Sequence, residues 1–260
     1  MQRQRIGIQL VSLRQPFKKA LHTAAQMGAG SVEIDARQQV DPSEFSQTAI
    51  RQLRKMLADL DLRVAAVGFH TRRGYEIGDD LQPRIEATKR AMRFAFDLGA
   101  SVVVNHVGRI APDCTGNDWD RLQESLHDLG RYGQHVGSTL VAETGGEDPS
   151  LLAKLLESLP PGTIGVNLDP GNLIINGFSV AESIRRLGSM IMHVHAKDGV
   201  RDLAQGRGIE VPLGRGIAEF PEVLALLEEF GYRGQFTIER QNASDPVAEI
   251  SDAVQFLASL

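Results

Sequence analysis

Cysteine is almost absent: Cys114 is the only one in 260 residues. A single thiol closes no internal disulfide, so a cross-linked scaffold is excluded and a reducing, cytoplasmic setting fits. Long apolar runs are missing as well. None approaches the roughly 20 residues of a membrane span. The opening MQRQRIGIQLVSLRQPF has too short an apolar stretch for a signal peptide. Blocks of Lys and Arg are lacking and the formal net charge is -5. That balance favours neither nucleic acid nor an acidic membrane as a partner. No Gly-x-Gly-x-x-Gly turn follows the first strand-like run, where VSLRQPF stands instead. This argues against a dinucleotide-binding domain. No linker rich in Pro, Gly or Ser divides the chain. What remains is ordinary globular composition, 42% apolar and 23% charged, and the expectation is one soluble domain over residues 1–260.

The chain alternates. A short β-rich run is followed by a loop, a helical pattern, a glycine and the next run. Eight such runs occur: RIGIQL, SVEID, LRVAAV, SVVVNH, STLVAE, TIGVNLD, MIMHVH and QFTIE. Between them, stretches such as PFKKALHTAAQMG and FPEVLALLEEFG repeat apolar residues at three- and four-residue spacing, which predicts amphipathic helices. Gly28, Gly99, Gly137, Gly188 and Gly231 fall just past helical patterns, where left-handed cap residues belong. Strands alternating with helices imply parallel strands joined by crossovers. Eight units in roughly 250 residues predict an α/β fold, a closed eight-stranded parallel (β/α)8 TIM barrel. The longest irregular stretch runs from Ala196 to Ala218, after the seventh strand. Loops of that length are often functional.

Four polar residues end four of these runs: Glu143, Asp169, His195 and Glu239. Alone, each has an ordinary reading. A strand-end glutamate is commonly a solvated loop charge, and Asp169 before Pro170-Gly171 suits a turn. Together they stand on neighbouring strands five to eight. Spacings of 26 and 26 residues separate the first three, and 44 separate the last pair, which encloses the irregular loop. Buried carboxylates and imidazoles are costly unless paired. Four converging at the mouth of a barrel predict a site for one divalent ion: Mn²⁺, Zn²⁺, Mg²⁺ or Co²⁺. His193 shares a strand face with His195, which is preferred because it lies nearer the strand end. Such a site leaves positions for substrate oxygens. A carboxylate there can serve as general base toward the carbon next to a polarised carbonyl.

His70 and His106 follow strands three and four and should face the mouth, where either can bond a sugar hydroxyl or carbonyl. Lys197 shares the face of His195; it can stabilise developing negative charge or pair with a carboxylate. Glu33 ends the second strand and can orient a neighbour. Arg207 and Arg215, in the long loop, can hold a phosphate or stay solvated. Trp119 is either an apolar wall for a substrate or a packing residue. Cys114 has no nearby Cys-His arrangement to activate it.

The stretches GAGSVEID, LVAET, NLDPGN, HVHAKD and VPLGRGIAEFPEVLALLEEFGYRGQFTIE, spread almost end to end, resemble the xylose isomerase-like barrels. These are the sugar-phosphate isomerases and epimerases grouped with the abasic-site endonuclease fold. The resemblance implies that Glu143, Asp169, His195 and Glu239 bind one divalent ion and that Glu143 and Glu239 are the catalytic acid/base pair. It implies a small carbohydrate substrate, for which His70, His106, Asn172, Lys197 and Arg207 are the candidate contacts by their positions, and a homodimer or higher homo-oligomer. One position departs: many members carry His three residues after the sixth-strand Asp, and here it is Asn172. An amide can bond a hydroxyl but cannot act as acid or base at neutral pH. The expected activity is isomerisation or epimerisation through an enediolate. The rivals are a dehydratase of a keto-inositol or dehydroshikimate-like acid, an abasic-site DNA endonuclease and a non-catalytic sugar-binding relative. His22, His127 and His135 fall on helical patterns away from the mouth, which disfavours a multinuclear nuclease cluster.

Overall fold

Each of the eight strand-like runs forms a strand. The computed structural model describes residues 1–202 and 207–260. The barrel strands are β1 (Ile6–Gln9), β2 (Ser31–Asp35), β3 (Arg63–Gly68), β4 (Val102–Asn105), β5 (Thr139–Glu143), β6 (Ile164–Leu168) and β7 (Ile191–Ala196). A short antiparallel hairpin of β8 (Asp198–Val200) and β9 (Ile209–Val211) follows, and β10 (Phe236–Ile238) completes the barrel. The order is β1-β2-β3-β4-β5-β6-β7-β10, all parallel, closed by Ile6 against Phe236 and Gly7 against Thr237. The fold is a single (β/α)8 TIM barrel.

The helices are α1 (Phe17–Gln26), α2 (Gln47–Asp59), α3 (Leu81–Asp97), α4 (Asn117–Val136), α5 (Pro149–Glu157), α6 (Pro170–Ile175), α7 (Val180–Leu187), α8 (Phe220–Glu229) and α9 (Pro246–Ser259). Each full-length crossover buries one apolar stripe. Ile50, Leu53 and Leu57 do so in α2, and Ile250, Ala253, Val254 and Leu257 in α9. The spacing is that of one helix face, and the main core lies between these stripes and the outer side of the strands.

The barrel interior has two halves. Under β3, β4 and β5 it is apolar, filled by Ala66, Val102, Val104 and Val141. On the other side Gln9, Ser31, Glu33, Asn167, His193, His195 and Thr237 are all buried. Side chains alternate inward and outward along a barrel strand, so the inward residues just below the mouth on this side are polar. That is where a site can be assembled.

Two sequence-based expectations change. The stretch from Ala196 to Ala218 is not wholly irregular, because the hairpin occupies much of it; residues 203–206 lie outside the described residues. Gly188 is not a left-handed cap: its φ is -51°, and a Cβ there would stand 2.4 Å from the Phe230 ring. Gly28, Gly99, Gly137 and Gly231 do adopt positive φ. Asp169 makes no simple turn; it caps α6, accepting the Asn172 N–H at 2.8 Å, with Pro170 in the first helical position. Trp119 is buried on α4 within the core cluster, so packing accounts for it.

Candidate active site

Parallel pairing sets the height of each strand end, and the four strand-end residues meet. Glu143 is the last residue of β5, His195 is one from the end of β7, and Asp169 and Glu239 directly follow β6 and β10. One ligand atom from each lies within 4.8 Å of the other three. All four residues are buried. His195 Nδ1 stands 2.9 Å from Glu143 Oε1 and 2.7 Å from Glu239 Oε2. Its other nitrogen, Nε2, lies 2.9 Å from Glu33 Oε2. Glu33 is itself bonded by Gln9 Nε2 at 3.1 Å and lies 3.5 Å from His193 Nε2. The imidazole is therefore clamped through Nε2, and Nδ1 is turned to the carboxylates at the mouth. A partner on the far nitrogen is how a ligating histidine is usually oriented.

Lys197 is the buried cation of the group. Its Nζ donates to Glu239 Oε1 at 3.1 Å and lies 3.6 Å from Asp169 Oδ2. On the opposite flank, His106 Nε2 is 3.0 Å and His70 Nδ1 3.8 Å from Glu143 Oε2. Both histidines, with Gln9, Ser12, Asp35, Glu143, Glu239 and Arg240, line a mouth cavity of about 470 Å³.

The charges are strongly coupled. Burial pushes Asp169 up to about 7; Lys197 and His195 pull it down, while Glu239 and Glu143 push it further up. Burial also raises Glu143, yet His106, His195 and His70 outweigh it and hold that carboxyl below its ordinary range. Glu239 is likewise lowered against its burial, by His195 and Lys197. Burial lowers His195, but Glu33, Glu239 and Glu143 together raise it well above the usual imidazole value. Lys197 is raised for the same reason, with Asp169 and Glu239 overcoming burial.

The donor set suits a divalent cation. Asp169 Oδ2 is buried without a hydrogen-bond partner. Three carboxylates and one imidazole offer mostly oxygen, as Mg²⁺ or Mn²⁺ prefer and Zn²⁺ or Co²⁺ accept. A buried polar atom left unpaired implies a missing partner, and this one sits on one of the four residues that face one another.

Asn172 and Arg207 stand apart from this group. Asn172 spends its backbone N–H on the Asp169 cap, packs its Cβ side against Gly145 and does not line the mouth cavity. Arg207 is exposed and lines a separate surface cavity with Ile174, Asn176 and Asp202. Arg215 is also exposed. The hairpin instead contributes through two carboxylates. Asp198 is buried and accepts the N–H groups of Gly199, Gly214, Gly216 and Ala218 at 2.8–3.1 Å. Glu210 accepts those of Gln241 and Asn242 at 2.8 Å each, which fixes the segment leaving Glu239. Gln9 and Asn167 join the site unannounced. Asn167 Nδ2 lies 3.1 Å from His195 Nδ1 and 3.4 Å from Glu143 Oε1. The available signal was parity: Asn167 precedes Asp169 by two, so the pleat turns both inward.

Residues 21–260 match the family model described as xylose isomerase-like TIM barrel. The chain belongs to that family. It is 26% identical to inosose dehydratase 1 of Bacillus cereus over 219 residues, covering 73% of this chain and 72% of that protein. Solved structures share the fold at lower identity. A xylose isomerase domain protein from Planctomyces limnophilus superposes with a TM-score of 0.83 at 23% identity, covering 92% of this chain and 91% of that one. D-psicose 3-epimerase from Clostridium cellulolyticum, solved with D-tagatose, gives 0.79 at 16% identity, covering 98% of each chain. A Mycobacterium smegmatis barrel in complex with magnesium gives 0.74 at 20% identity, covering 94% of this chain and 88% of that one. By name, the proteins this chain is similar to include a dehydratase in sequence and an epimerase in fold. No described helix is long and apolar enough to cross a membrane.

Proposed function

We propose that this protein is a divalent-metal-dependent isomerase or epimerase of a small polyhydroxylated carbonyl compound. The observation that carries the reading is the convergence of Glu143, Asp169, His195 and Glu239 at the mouth, with a unit of positive charge, Lys197, on one flank and two histidines on the other. Those four residues would hold the ion. It would supply Lewis-acid polarisation of a substrate carbonyl, which acidifies the neighbouring C–H. The magnesium complex of the Mycobacterium smegmatis barrel agrees with such a cofactor.

The chain's own groups then divide the work. Glu143 and Glu239 lie on opposite sides of His195, on β5 and just beyond β10. Both are ionised near neutral pH, since their neighbours hold them below the ordinary carboxylate range. One carboxylate removes a proton from the carbon beside the carbonyl and, now protonated, returns it to the adjacent carbon, which gives an isomer; return to the opposite face, which gives an epimer, falls to the other carboxylate once it has taken up a proton from solvent. Lys197 stabilises the negative charge of the enediolate. His70 and His106 bond substrate hydroxyls on the Glu143 side.

A second reading, loss of water from a keto-inositol, is favoured by the similarity to inosose dehydratase. It begins with the same proton abstraction and differs in what leaves next. Ketoses and inososes should be incubated with the metal-supplemented protein in heavy water and the products read by NMR. Deuterium at the carbon beside the carbonyl in an isomer or epimer supports the first reading, and an unsaturated product supports the second. Glu143→Gln should abolish deuterium uptake while the circular dichroism spectrum stays unchanged. Undiminished uptake in that variant removes Glu143 from the mechanism.

A further inference from the structure

A second cavity lies against the mouth, and its chemistry is the reverse of the chain's. The protein carries a formal net charge of -5. Yet this cavity, about 690 Å³, is lined by five arginines: Arg37, Arg72, Arg73, Arg84 and Arg90. They come from three places, the segment after β2, the segment after β3 and α3. Two carboxylates, Asp41 and Asp80, share the lining.

Three carboxylates, Asp41, Asp79 and Asp80, stand beside these five guanidiniums, which leaves the cavity positive. Arg37 donates to the carbonyl of His70 at 2.9 Å and lies 5.8 Å from the Phe69 ring centroid. Arg84 donates to the carbonyls of Asp79 and Ile77. These bonds fix two guanidiniums in place without neutralising them. Arg73 pairs with Asp79 at 3.4 Å, both side chains being largely exposed. Arg90 acts on Asp41, whose carboxyl also accepts from Ser43. Arg72 makes no hydrogen bond or ion pair among the described residues. Like charges gathered in one concavity repel, and an anion relieves that repulsion. A guanidinium presents a planar fork of donors that matches the oxygens of a phosphate.

We propose that this arginine-lined cavity is an anion site that takes a phosphate group. Its position gives the ligand two possible sources. Gln38 and His70 line the mouth cavity, while their chain neighbours Arg37 and Thr71 line the arginine cavity. The partition between the two is one residue wide. The phosphate is either the far end of a phosphorylated substrate or a separate inorganic anion bound beside it.

The test begins with inorganic phosphate titrated calorimetrically into the metal-free protein at low ionic strength. This readout does not depend on catalysis or on the metal-centred reading above. The wild type should bind one phosphate per chain. Arg72→Gln with Arg90→Gln, both at exposed positions, should weaken binding at least about tenfold. Lys18→Gln with Lys19→Gln on the exposed face of α1 removes the same charge elsewhere and should leave binding unchanged. Absence of binding by the wild type overturns the proposal. So does equal binding by the Arg72/Arg90 variant, or an equal loss in the Lys18/Lys19 variant. Fructose 6-phosphate against fructose separates the sources. A preference for the phosphate ester that the arginine variant erases assigns the site to the substrate. Intact inorganic phosphate binding with no such preference assigns it to a free anion.

Discussion

Replacing Lys197 by methionine keeps the length of the side chain and deletes one buried positive charge. The wild-type side chain is 2% exposed, with its ammonium 3.1 Å from Glu239 and 3.6 Å from Asp169. Removing it strands two buried carboxylates, and breaking a buried pair costs about 3–5 kcal/mol. For a chain of this size each kcal/mol moves the midpoint about 2–4 °C, so the metal-free variant should melt about 6–20 °C below wild type. Asp169 softens the loss at low pH. Burial already raises it to about 7, and without Lys197 it rises further and takes up a proton. The gap should therefore be wider at pH 8 than at pH 6. A divalent ion held by Glu143, Asp169, His195 and Glu239 would supply the missing positive charge from the other side. Saturating Mn²⁺ or Mg²⁺ should then narrow the gap to less than about half its metal-free size. The assay is thermal unfolding of both proteins with chelator and with metal, at both pH values. Identical gaps with and without metal would refute the idea that the lysine and the ion neutralise the same carboxylates. A metal-free variant as stable as wild type would refute the electrostatic premise itself.

Metal uptake should release protons, because His195 and Asp169 both hold theirs more tightly than usual in the metal-free site and ligands must be deprotonated. Calorimetry in buffers of different ionisation enthalpy should show about one proton or more released at pH 7, with affinity rising as pH rises; zero release would contradict the assigned ligands. Asp169 alone makes the metal-free protein less stable as pH climbs from 3.8 toward about 7, because the folded state keeps that proton longer than the unfolded one does. Asp198→Ala removes the acceptor of four backbone N–H groups and should cost about 3 kcal/mol or more. Amide exchange should accelerate at Gly199, Gly214, Gly216 and Ala218, and unchanged protection there would show that the segment holds itself together without the carboxylate.

Periodicity made the barrel legible. Every β-branched run became a strand and the helical patterns became the crossovers, because a parallel sheet with both faces covered demands that alternation. The strand-end positions of Glu143, Asp169, His195 and Glu239 were legible for the same reason. The hairpin within Ala196–Ala218 was not, since β8 and β9 are three residues each and too short to show a period. Nor was Gly188, whose neighbour Phe230 is 42 positions away in sequence.

By itself the sequence determined the eight-fold repeat, the strand each polar residue terminates and the lack of any disulfide, since these depend on local propensity and composition. Only the tertiary structure decided that His195 faces the carboxylates through Nδ1 while Glu33 holds Nε2. Only it sent Arg207 to a different cavity and gathered five arginines beside the mouth. Those outcomes depend on barrel closure and strand register, which bring together side chains far apart in the chain, and no local pattern encodes such distances.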